Sequence, residues 1–492
     1  MEQWYLYKKK ADFTKIGEKF QIDPVIARLI RNRDVIGDEE IHKYLYGNLS
    51  DISDPFLMKG VREGVDIIRE KIRDRKTIRI ISDYDVDGVV SNYILWKAIY
   101  DLGGMIDFQI PDRMKDGYGI NENIIEKAVE DQIDTILTCD NGIAASEAIR
   151  FGKEHGLTMI ITDHHDVPFI LNEDGSKEEI LPPADVVINP KQKECKYPYP
   201  LLCGAGVAFQ FVRALYKSMG EDENKLEDLL SMLAIATVCD VVDLTGENRI
   251  FVKEGLKRIK ETRNVGLRAL LNVHDLMEKQ IQSYALGFII GPCINASGRL
   301  ESAEKALNLF LEEDKKKVAA RLHELVEKDD YHLDVGLLGS KALLSAMSDN
   351  GYAETAYKVA SQDTYPSWGY WIKQGATTLH ENWRTDVVID NSYNHIMFGE
   401  IGAWLYKGLG GIQIDEKHPG FKHILLKPFF PADMNELTIR YNTPYGWLNI
   451  NWVRQTNDCI RYTIDIPAGT SATFVPFTIL VLELSGLQKE MI

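Results

Sequence analysis

Acidic side chains and two histidines directly follow short apolar runs in the first half of the sequence. The runs end in the segments DYDVDG, CDNGI and TDHH, which contribute Asp83, Asp85, Asp87, Asp140, Asp163, His164 and His165. Asp240 follows another apolar run, 229–238. Carboxylate oxygens with imidazole nitrogens suit divalent ions such as Mn²⁺ and Mg²⁺. Two such ions about 3.5 to 4 Å apart activate water and stabilise the oxygens of a phosphoryl displacement.

The spacing of these residues supports metal ligation and leaves a second interpretation open. Asp85 and Asp87 lie two positions apart in a turn closed by Gly88, so both carboxylates can face one cation. An aspartate after a strand also commonly caps the next helix. This alternative applies to Asp83, Asp85, Asp87 and Asp240. Asp163 fits either a ligand or a residue that orients a histidine, and the adjacent histidines could form a polar loop.

An α/β fold would bring these residues together. From Thr77 onward, apolar runs rich in β-branched residues alternate with stretches of helical periodicity. We predict strands at residues 78–82, 105–110, 135–139 and 157–162, and helices at 89–102, 120–131 and 144–155. This βαβ series implies a parallel sheet with right-handed crossovers. Ligands bind outside the carboxyl ends of such strands, so we expect the acidic residues and histidines at one edge.

Composition and length indicate a globular, cytoplasmic protein. The chain has 492 residues, of which 45% are hydrophobic and 27% charged, and this suits about two to four domains. Neither the segment MEQWYLYKKKADF nor the apolar segment 474–484 has the length of a signal peptide or a membrane span. The six cysteines show no CxxC pair, which indicates reduced thiols and no zinc ribbon.

The formal net charge of -17 limits the kinds of nucleic-acid contact. Phosphate binding needs a local surplus of Lys and Arg, which argues against a protein that coats nucleic acid nonspecifically. An enzyme with a narrow basic groove is compatible with this charge, because acidic clusters that hold divalent cations add negative charge themselves.

Five motifs occur in the order typical of one enzyme family. They are DYDVDG (83–88), CDNGI (139–143), TDHH (162–165), ATVCDVVDL (236–244) and GPCINASGRL (291–300). Over residues 5–326 the sequence resembles the RecJ-type single-stranded DNA exonucleases of the DHH phosphoesterase family. The resemblance implies metal-dependent hydrolysis of single-stranded DNA from its 5′ end, which releases nucleotide monophosphates.

The resemblance also implies roles for individual residues. The implied ligands of Mn²⁺ or Mg²⁺, as two ions, are Asp85, Asp87, Asp140, His164 and Asp240, with Asp83 as an additional ligand. Asp140 and His165 are the implied catalytic residues, with His165 near the scissile phosphate. Arg113 and Arg299 would contact substrate phosphate through a planar fork, although Arg299 could instead be a structural ion-pair partner. The phosphate pocket would be shaped by Asn295, Ser297 and Gly298.

The RecJ resemblance ends at about residue 326. A complete RecJ-type enzyme continues into a second domain with a Gly- and His-rich substrate motif, and usually into an OB fold. Neither is legible in this sequence. A phosphodiesterase that acts on short oligonucleotides or cyclic dinucleotides is therefore an alternative within the same family, and it predicts faster turnover of very short substrates.

After about residue 329 the sequence becomes rich in tryptophan. Six of the eight tryptophans lie there: Trp368, Trp371, Trp383, Trp404, Trp447 and Trp452. The stretches 330–383, NHIMFGEIGAWLYKGLGGI (394–412) and HPGFKHILLKP (418–428) resemble the C-terminal part of bacterial α-L-rhamnosidases. That family implies helices of an α/α barrel and then a β-sandwich, and residues 428–481 alternate polar and apolar side chains as an antiparallel sheet does.

Glu381, in ATTLHENW, matches the general base of the rhamnosidase family. Inverting hydrolysis also needs a carboxylic acid across the glycosidic bond, and the part of the barrel that carries this acid is not found in the sequence. Trp368, Trp371 and Trp383 could stack on sugars or pack in a core. The alternatives to a nuclease are therefore a hydrolase of rhamnosyl sugars, a non-catalytic carbohydrate-binding fragment, or an inert hybrid that folds only in its first half.

Together these patterns predict a multidomain fold: an α/β parallel sheet, helices of a partial α/α barrel and a C-terminal antiparallel β-sandwich. We predict a helical lead-in (1–75), a DHH phosphoesterase domain (76–245), a helical segment with the phosphate-contact motif (246–328), a partial barrel (329–412) and a sandwich (413–492). The junction at 327–331 indicates two unrelated partial genes, joined naturally or by an assembly error.

Overall fold

The chain forms two compact units, Met1–Glu313 and Asp314–Ile492. The computed structural model describes residues 9–111, 119–274, 276–300, 302–332, 337–386, 392–415, 417–456 and 459–475. The division falls just before the helix Lys315–Lys328, which the sequence-based division places in the preceding segment. The boundaries of the smaller domains stay predictions.

A five-stranded parallel sheet organises the N-terminal unit. In chain order its strands are β1 (Thr77–Ser82), β2 (Met105–Gln109), β3 (Thr135–Cys139), β4 (Thr158–Thr162), β5 (Phe169–Leu171), β6 (Lys177–Glu179) and β7 (Val186–Ile188). The sheet order is β2-β1-β3-β4-β7, with parallel pairing throughout its described length, whereas β5 and β6 form a separate antiparallel pair. The predicted α/β parallel sheet is confirmed.

The register of the sheet aligns the ends of its central strands. Cys139 at the end of β3 lies opposite Ser82 of β1 and Thr162 of β4, and Thr162 lies opposite Ile188 of β7. The residues that follow these four strands are therefore level along one edge. The chain leaves β1 toward β2 and returns to β3 on the other side of β1. In open parallel sheets, ligands bind at such a reversal of strand order.

Helices cover both faces of the sheet, which explains why its central strands are buried along almost their whole length. On one face Ile80 and Leu137 pack in a large core with the helices Val86–Asp101 and Gly204–Met219. On the other face Ile81, Ile136 and Ile161 pack against two shorter helices, Glu122–Glu130 and Ser146–Glu154.

The remaining helices of the N-terminal unit precede and follow the sheet. They are Phe13–Phe20, Pro24–Asn32, Asp38–Tyr46, Val61–Arg73, Leu230–Cys239, Gly246–Arg258, Val265–Val273, Ser283–Ala285, Gly291–Leu300 and Glu304–Leu311, with a π-helical turn at Leu286–Ile290. The predicted strands and helices are found with their ends displaced by a few residues. The helix Glu304–Leu311 ends at Glu312, which adopts an extended backbone, and the next helix is Lys315–Lys328.

An aromatic core holds the helices of the C-terminal unit together. These helices are Lys315–Lys328, Leu337–Asp349, Ala353–Ser361, Trp368–Lys373 and Glu400–Trp404. Trp368, Trp371 and Trp383 are buried with Trp404 in one cluster. The indole N–H of Trp368 donates to the carbonyl of Phe398 at 3.0 Å, and that of Trp371 to the carbonyl of Trp383 at 3.0 Å. Of the two interpretations of these tryptophans, core packing is the one observed.

Two small sheets complete the C-terminal unit. The strands are β8 (Ile412–Ile414), β9 (His423–Leu426), β10 (Glu436–Thr443), β11 (Gly446–Thr456), β12 (Cys459–Asp465) and β13 (Ser471–Phe474). The antiparallel sheet β10-β11-β12 confirms the predicted alternation, whereas in the sheet β13-β9-β8 the strand β13 runs parallel to β9. Across the described parts of the chain, no helix combines the length and apolarity that a membrane span requires, and the six cysteines are free thiols there.

Candidate metal centre

Asp140 lies directly after β3 and is fully buried at the edge of the sheet where the ends of β1, β3, β4 and β7 are aligned. Its backbone adopts a left-handed conformation, with φ of 59°, and its N–H donates to the carbonyl of Thr162 at 3.1 Å. A Cβ on Gly204, at the start of the helix Gly204–Met219, would lie 2.6 Å from Cβ of Asp140. Only glycine at position 204 therefore allows the helix to approach this carboxylate so closely.

Asp85 caps the helix Val86–Asp101, since its side chain accepts a hydrogen bond from the N–H of Gly88 at 3.0 Å. A side chain on Gly88 would collide with the backbone of Asp83, so glycine is required for the turn to close. One oxygen each of Asp83, Asp85 and Asp140 lie within 4.8 Å of one another. Capping and metal binding are compatible for Asp85, because a carboxylate has four lone-pair sites.

Asp87 joins two helices. It lies in the first turn of Val86–Asp101, and its carboxylate accepts from the N–H groups of Gly204 at 2.6 Å and Ala205 at 2.9 Å. It thus satisfies two free donors at the start of the helix Gly204–Met219 from a distance of more than a hundred positions in sequence. Asp87 therefore does cap a helix, as its sequence position allows. It caps Gly204–Met219, whereas Asp87 itself lies in Val86–Asp101.

His164 occupies the middle of the cluster. Its Nε2 lies 3.0 Å from Oδ1 of Asp140 and 3.8 Å from Oδ2 of Asp87. Its Nδ1 lies 3.8 Å from Oδ2 of Asp240, which follows the helix Leu230–Cys239. The structure therefore gathers all six residues expected to bind metal: Asp83, Asp85, Asp87, Asp140, His164 and Asp240.

Four polar atoms of this cluster are buried without a hydrogen bond from any described residue. They are Oδ1 of Asp83, Oδ1 of Asp140, Nε2 of His164 and Oδ2 of Asp240. A buried polar atom left without a partner is unfavourable by about 1 to 3 kcal/mol. All four are carboxylate oxygens or imidazole nitrogens, so they fit divalent cations as ligands.

The protonation equilibria of the cluster reflect crowded, buried negative charge. Burial, together with the charges of Asp87 and Asp85, raises the pKa of Asp140 well above its ordinary value and that of Asp240 to about 8. Burial and the charge of Asp85 raise the pKa of Asp83 to about 7. Burial lowers the pKa of His164, which favours the neutral imidazole that metals bind. A bound cation would counteract the repulsion among these carboxylates.

Asp163 orients the second histidine. Its Oδ1 accepts from the N–H of His164 at 2.7 Å and from the N–H of His165 at 3.1 Å, and lies 2.8 Å from Nδ1 of His165; its Oδ2 accepts from the N–H of Ile143 at 2.9 Å. The hydrogen bond to Asp163 raises the pKa of His165. Both oxygens of Asp163 are thus used within the protein, which favours its orienting role over ligation.

Two neighbours of the centre were not anticipated from the sequence. Asn189 follows β7, is fully buried, and donates from Nδ2 to the carbonyl of His165 at 2.9 Å. Lys191 Nζ lies 2.9 Å from the carboxylate of Asp166, next to His165. The apolar run at Val186–Ile188 was the available signal, since a fifth parallel strand there places Asn189 at the same edge.

The expected phosphate pocket is only partly described. Asn295 is half-buried in the helix Gly291–Leu300, and the backbones of Ser297, Gly298 and Arg299 continue the same helix. The side chains of Ser297 and Arg299, and all of Arg113, lie outside the described part of the structure. Their roles stay predictions.

Glu381 lies on the surface of the C-terminal unit. Its Oε2 accepts from the N–H of Ser392 at 2.9 Å, and its own N–H donates to the carbonyl of Ser392 at 2.9 Å. These bonds join Glu381 to a residue eleven positions further along the chain, and the glycosidase role of Glu381 stays a prediction.

Comparison with known protein families places the two units in different groups. Residues 77–237 match the model described as the DHH family, N-terminal domain. Residues 304–409 match the bacterial alpha-L-rhamnosidase 6 hairpin glycosidase domain, and residues 411–478 match the bacterial alpha-L-rhamnosidase C-terminal domain. The parallel sheet and most of the metal-centre residues therefore belong to a DHH-family domain.

Individual relatives agree with this division. The chain is 35% identical over 327 residues to the single-stranded-DNA-specific exonuclease RecJ of Bacillus subtilis, covering 66% of this chain and 40% of that protein. It is 33% identical over 174 residues to an alpha-L-rhamnosidase of Formosa agariphila, covering 34% of this chain and 18% of that protein. The crystal structure of exonuclease RecJ bound to manganese is 30% identical, with 60% of this chain and 78% of that chain covered and a TM-score of 0.46.

The N-terminal part of the chain is thus homologous to RecJ exonucleases, and the C-terminal part to bacterial α-L-rhamnosidases. Both predicted resemblances are confirmed. The chain spans 40% of the length of the Bacillus subtilis RecJ and 51% of that of Haemophilus influenzae.

Proposed function

We propose that the N-terminal unit is a divalent-metal-dependent phosphodiesterase that removes nucleotides from the 5′ end of single-stranded DNA. The observation that carries this proposal is the cluster of five carboxylates and one imidazole, four atoms of which are buried without a hydrogen bond from the described residues. RecJ relatives named as single-stranded-DNA-specific exonucleases support the choice of substrate.

Asp83, Asp85, Asp87, Asp140, His164 and Asp240 would hold Mn²⁺ or Mg²⁺. Such ions, when bound, lower the pKa of water and stabilise charge on phosphate oxygens. Asp87 gains rigidity from the two N–H groups of the helix Gly204–Met219, which hold its carboxylate in one orientation. A metal site with defined geometry needs ligands that neighbouring groups hold in one orientation.

His165 would act on the substrate side of the centre. Asp163 contacts its Nδ1 at 2.8 Å and orients the ring, and the raised pKa keeps the ring protonated to a higher pH. A protonated imidazole can donate a hydrogen bond to the phosphate or a proton to the leaving oxygen. By resemblance, Arg113 and Arg299 would bind the 5′ phosphate.

The proposal is tested with the full chain, Mn²⁺ and 5′-phosphorylated single-stranded DNA. We expect nucleotide monophosphates to be released, release to stop with a chelator, and Asp140→Ala to lower the rate by at least about a hundredfold, since even residues behind the ligands are worth 10- to 100-fold. Asp174→Asn, which changes an exposed carboxylate at the turn between β5 and β6, is the matched control and should leave the rate unchanged.

Two further substrates distinguish the alternatives. A rate on a dinucleotide above that on a long strand would favour a short-oligonucleotide phosphodiesterase. Turnover of an aryl rhamnoside without metal, lost in Glu381→Gln, would favour the glycosidase. Unchanged nuclease activity in Asp140→Ala would remove Asp140 from the site and contradict the proposal.

A further inference from the structure

Two large aromatic side chains lie exposed on a helical segment that neighbours the metal centre. Tyr284 is 65% exposed and Phe288 is 69% exposed. Their rings are stacked, with centroids 4.8 Å apart and an angle of 23° between their planes. The two residues are four positions apart and so lie on one side of the helix. The opposite side is buried through Leu286 and Ile290.

This segment rests on the residues that lead into Asp240. The thiol of Cys239 contacts the carbonyl of Leu286 at 3.5 Å, and a Cβ on Gly287 would lie 3.3 Å from Val238. The backbone changes to a π-helical turn at Leu286–Ile290, and such turns occur frequently at functional sites. The segment that carries the two rings therefore packs on Val238 and Cys239, which directly precede the expected ligand Asp240.

The backbone directly after Asp240 is strained and also presents an apolar side chain. Val241 follows Asp240, has a φ of 61°, and is 85% exposed. A left-handed conformation is rare for a β-branched residue and clusters at functional positions. Lys191, whose Nζ lies 2.9 Å from the carboxylate of Asp166, adds positive charge next to His165. Rings and a cation together suit a ligand with flat apolar faces and a phosphate backbone.

We propose that Tyr284 and Phe288 form a stacking platform for an unpaired base of single-stranded nucleic acid whose phosphate occupies the metal centre. This inference rests on the proposed nuclease function and names how that function recognises its substrate. Bases of any sequence can stack on aromatic rings, whereas bases paired within a duplex have their faces covered. The platform thus selects single strands without selecting sequence.

The test measures binding separately from cleavage. The full chain, with Ca²⁺ in place of Mn²⁺, is titrated into a 5′-phosphorylated strand of about 12 nucleotides, within the range that single-strand sites cover. The strand carries 2-aminopurine near its 5′ end, whose fluorescence reports stacking. We expect Tyr284→Leu with Phe288→Leu to raise the Kd by at least about tenfold and to lose the fluorescence change, since stacking on two rings is removed while apolar surface is kept. Tyr284→Phe alone, which keeps both aromatic rings, should bind the strand as the unmodified chain does.

A matched control exists in the same unit. Tyr100 is 55% exposed and stacks on Trp96 with ring centroids 4.7 Å apart. It lies about 21 Å along the helix Val86–Asp101 from the end that carries the ligands. Tyr100→Leu should leave the Kd and the fluorescence change as in the unmodified chain, and circular dichroism shows whether each variant is folded.

Cleavage with Mn²⁺ separates the two proposals. We expect the double variant to raise KM for the strand while kcat for a dinucleotide stays unchanged. If the unmodified chain cleaves DNA and the double variant binds and cleaves as Tyr100→Leu does, the platform is wrong and the nuclease stands. If the unmodified chain neither binds nor cleaves DNA, the nuclease proposal fails and the platform with it. A change in sedimentation coefficient with unchanged DNA affinity would assign the rings to a protein contact and overturn the platform.

Discussion

Asp163 shows how one carboxylate can determine the state of a neighbouring imidazole. Burial alone would raise the pKa of Asp163, but the hydrogen bonds from His165 and from the N–H of Ile143 hold it below its ordinary value. The same contact raises the pKa of His165. Asp163 is therefore a positioning residue, whose effect on catalysis is exerted through the orientation and charge of His165.

Asp163→Asn tests this relationship. The neutral amide removes the charge that favours protonated His165, so the pKa of His165 should fall and the alkaline limb of the pH–rate profile should move to lower pH. We expect kcat to fall about 10- to 100-fold with Mn²⁺ affinity little changed. Rates and calorimetric metal binding would be measured from pH 5 to pH 9, and a profile that only scales down without moving would contradict the positioning role.

The buried carboxylates of the centre predict that metal and protons compete. In the folded protein the pKa of Asp240 is raised to about 8 and that of Asp83 to about 7, whereas in the unfolded chain both lie near 3.8. The folded state therefore binds more protons between about pH 4 and pH 8, so the stability that these groups contribute at low pH is lost as the pH rises through this window.

Thermal unfolding with and without Mn²⁺ checks this expectation. Metal should raise Tm more at pH 8 than at pH 5, and at a hundredfold excess over Kd the stabilisation should be about 2.7 kcal/mol. Asp240→Asn lacks one titrating group, so its metal-free Tm should fall less between pH 5 and pH 8, while Asp174→Asn should follow the unmodified chain. Equal pH slopes in all three proteins would contradict the linkage.

At the scale of elements, the strands were predictable and several contacts between elements were not. The apolar runs before Asp83, Asp140 and Asp163 indicated β1, β3 and β4, and the rule that parallel strands share one ligand-binding edge brought their ends together. The apolar run at Val186–Ile188 is only three residues long, so β7 and Asn189 were not predicted. Asp87 binds Gly204 across more than a hundred positions of sequence, and such a contact leaves no local pattern.

Gly204→Ala tests the contact between the helix Gly204–Met219 and the metal centre. A methyl group at 204 would lie 2.6 Å from Cβ of Asp140, and the first N–H of the helix would have to move away from Asp87. We expect Mn²⁺ affinity and the cleavage rate to fall by about tenfold or more, as when groups that orient ligands are disturbed. Gly206→Ala, two positions along the same helix, would place a methyl group 3.2 Å from the side chain of Leu202 and is the matched control. Equal effects of the two changes would mean that only helix stability is altered.

At the scale of the whole molecule, each unit has its own hydrophobic core. The core around Ile80 and Leu137 belongs to the N-terminal unit, and the tryptophan cluster around Trp371 belongs to the C-terminal unit. The composition change along the sequence indicated this division, because two families with different core residues meet there. The position of the boundary was less predictable, since the charged helix Lys315–Lys328 carries no distinctive motif and the structure groups it with the C-terminal unit.

Separate cores predict that the units unfold separately. Brief proteolysis should therefore cut first in the segment that joins them, because a backbone outside both cores opens at a lower free energy than either core. We expect a stable N-terminal fragment that ends close to Glu313, or close to residue 330 if the helix Lys315–Lys328 stays with it. Mass spectrometry of the fragments locates the cut, and Mn²⁺ should protect the N-terminal fragment alone, since the ligands lie within it. Equal resistance along the chain, or protection of both fragments by Mn²⁺, would show that the two units fold as one.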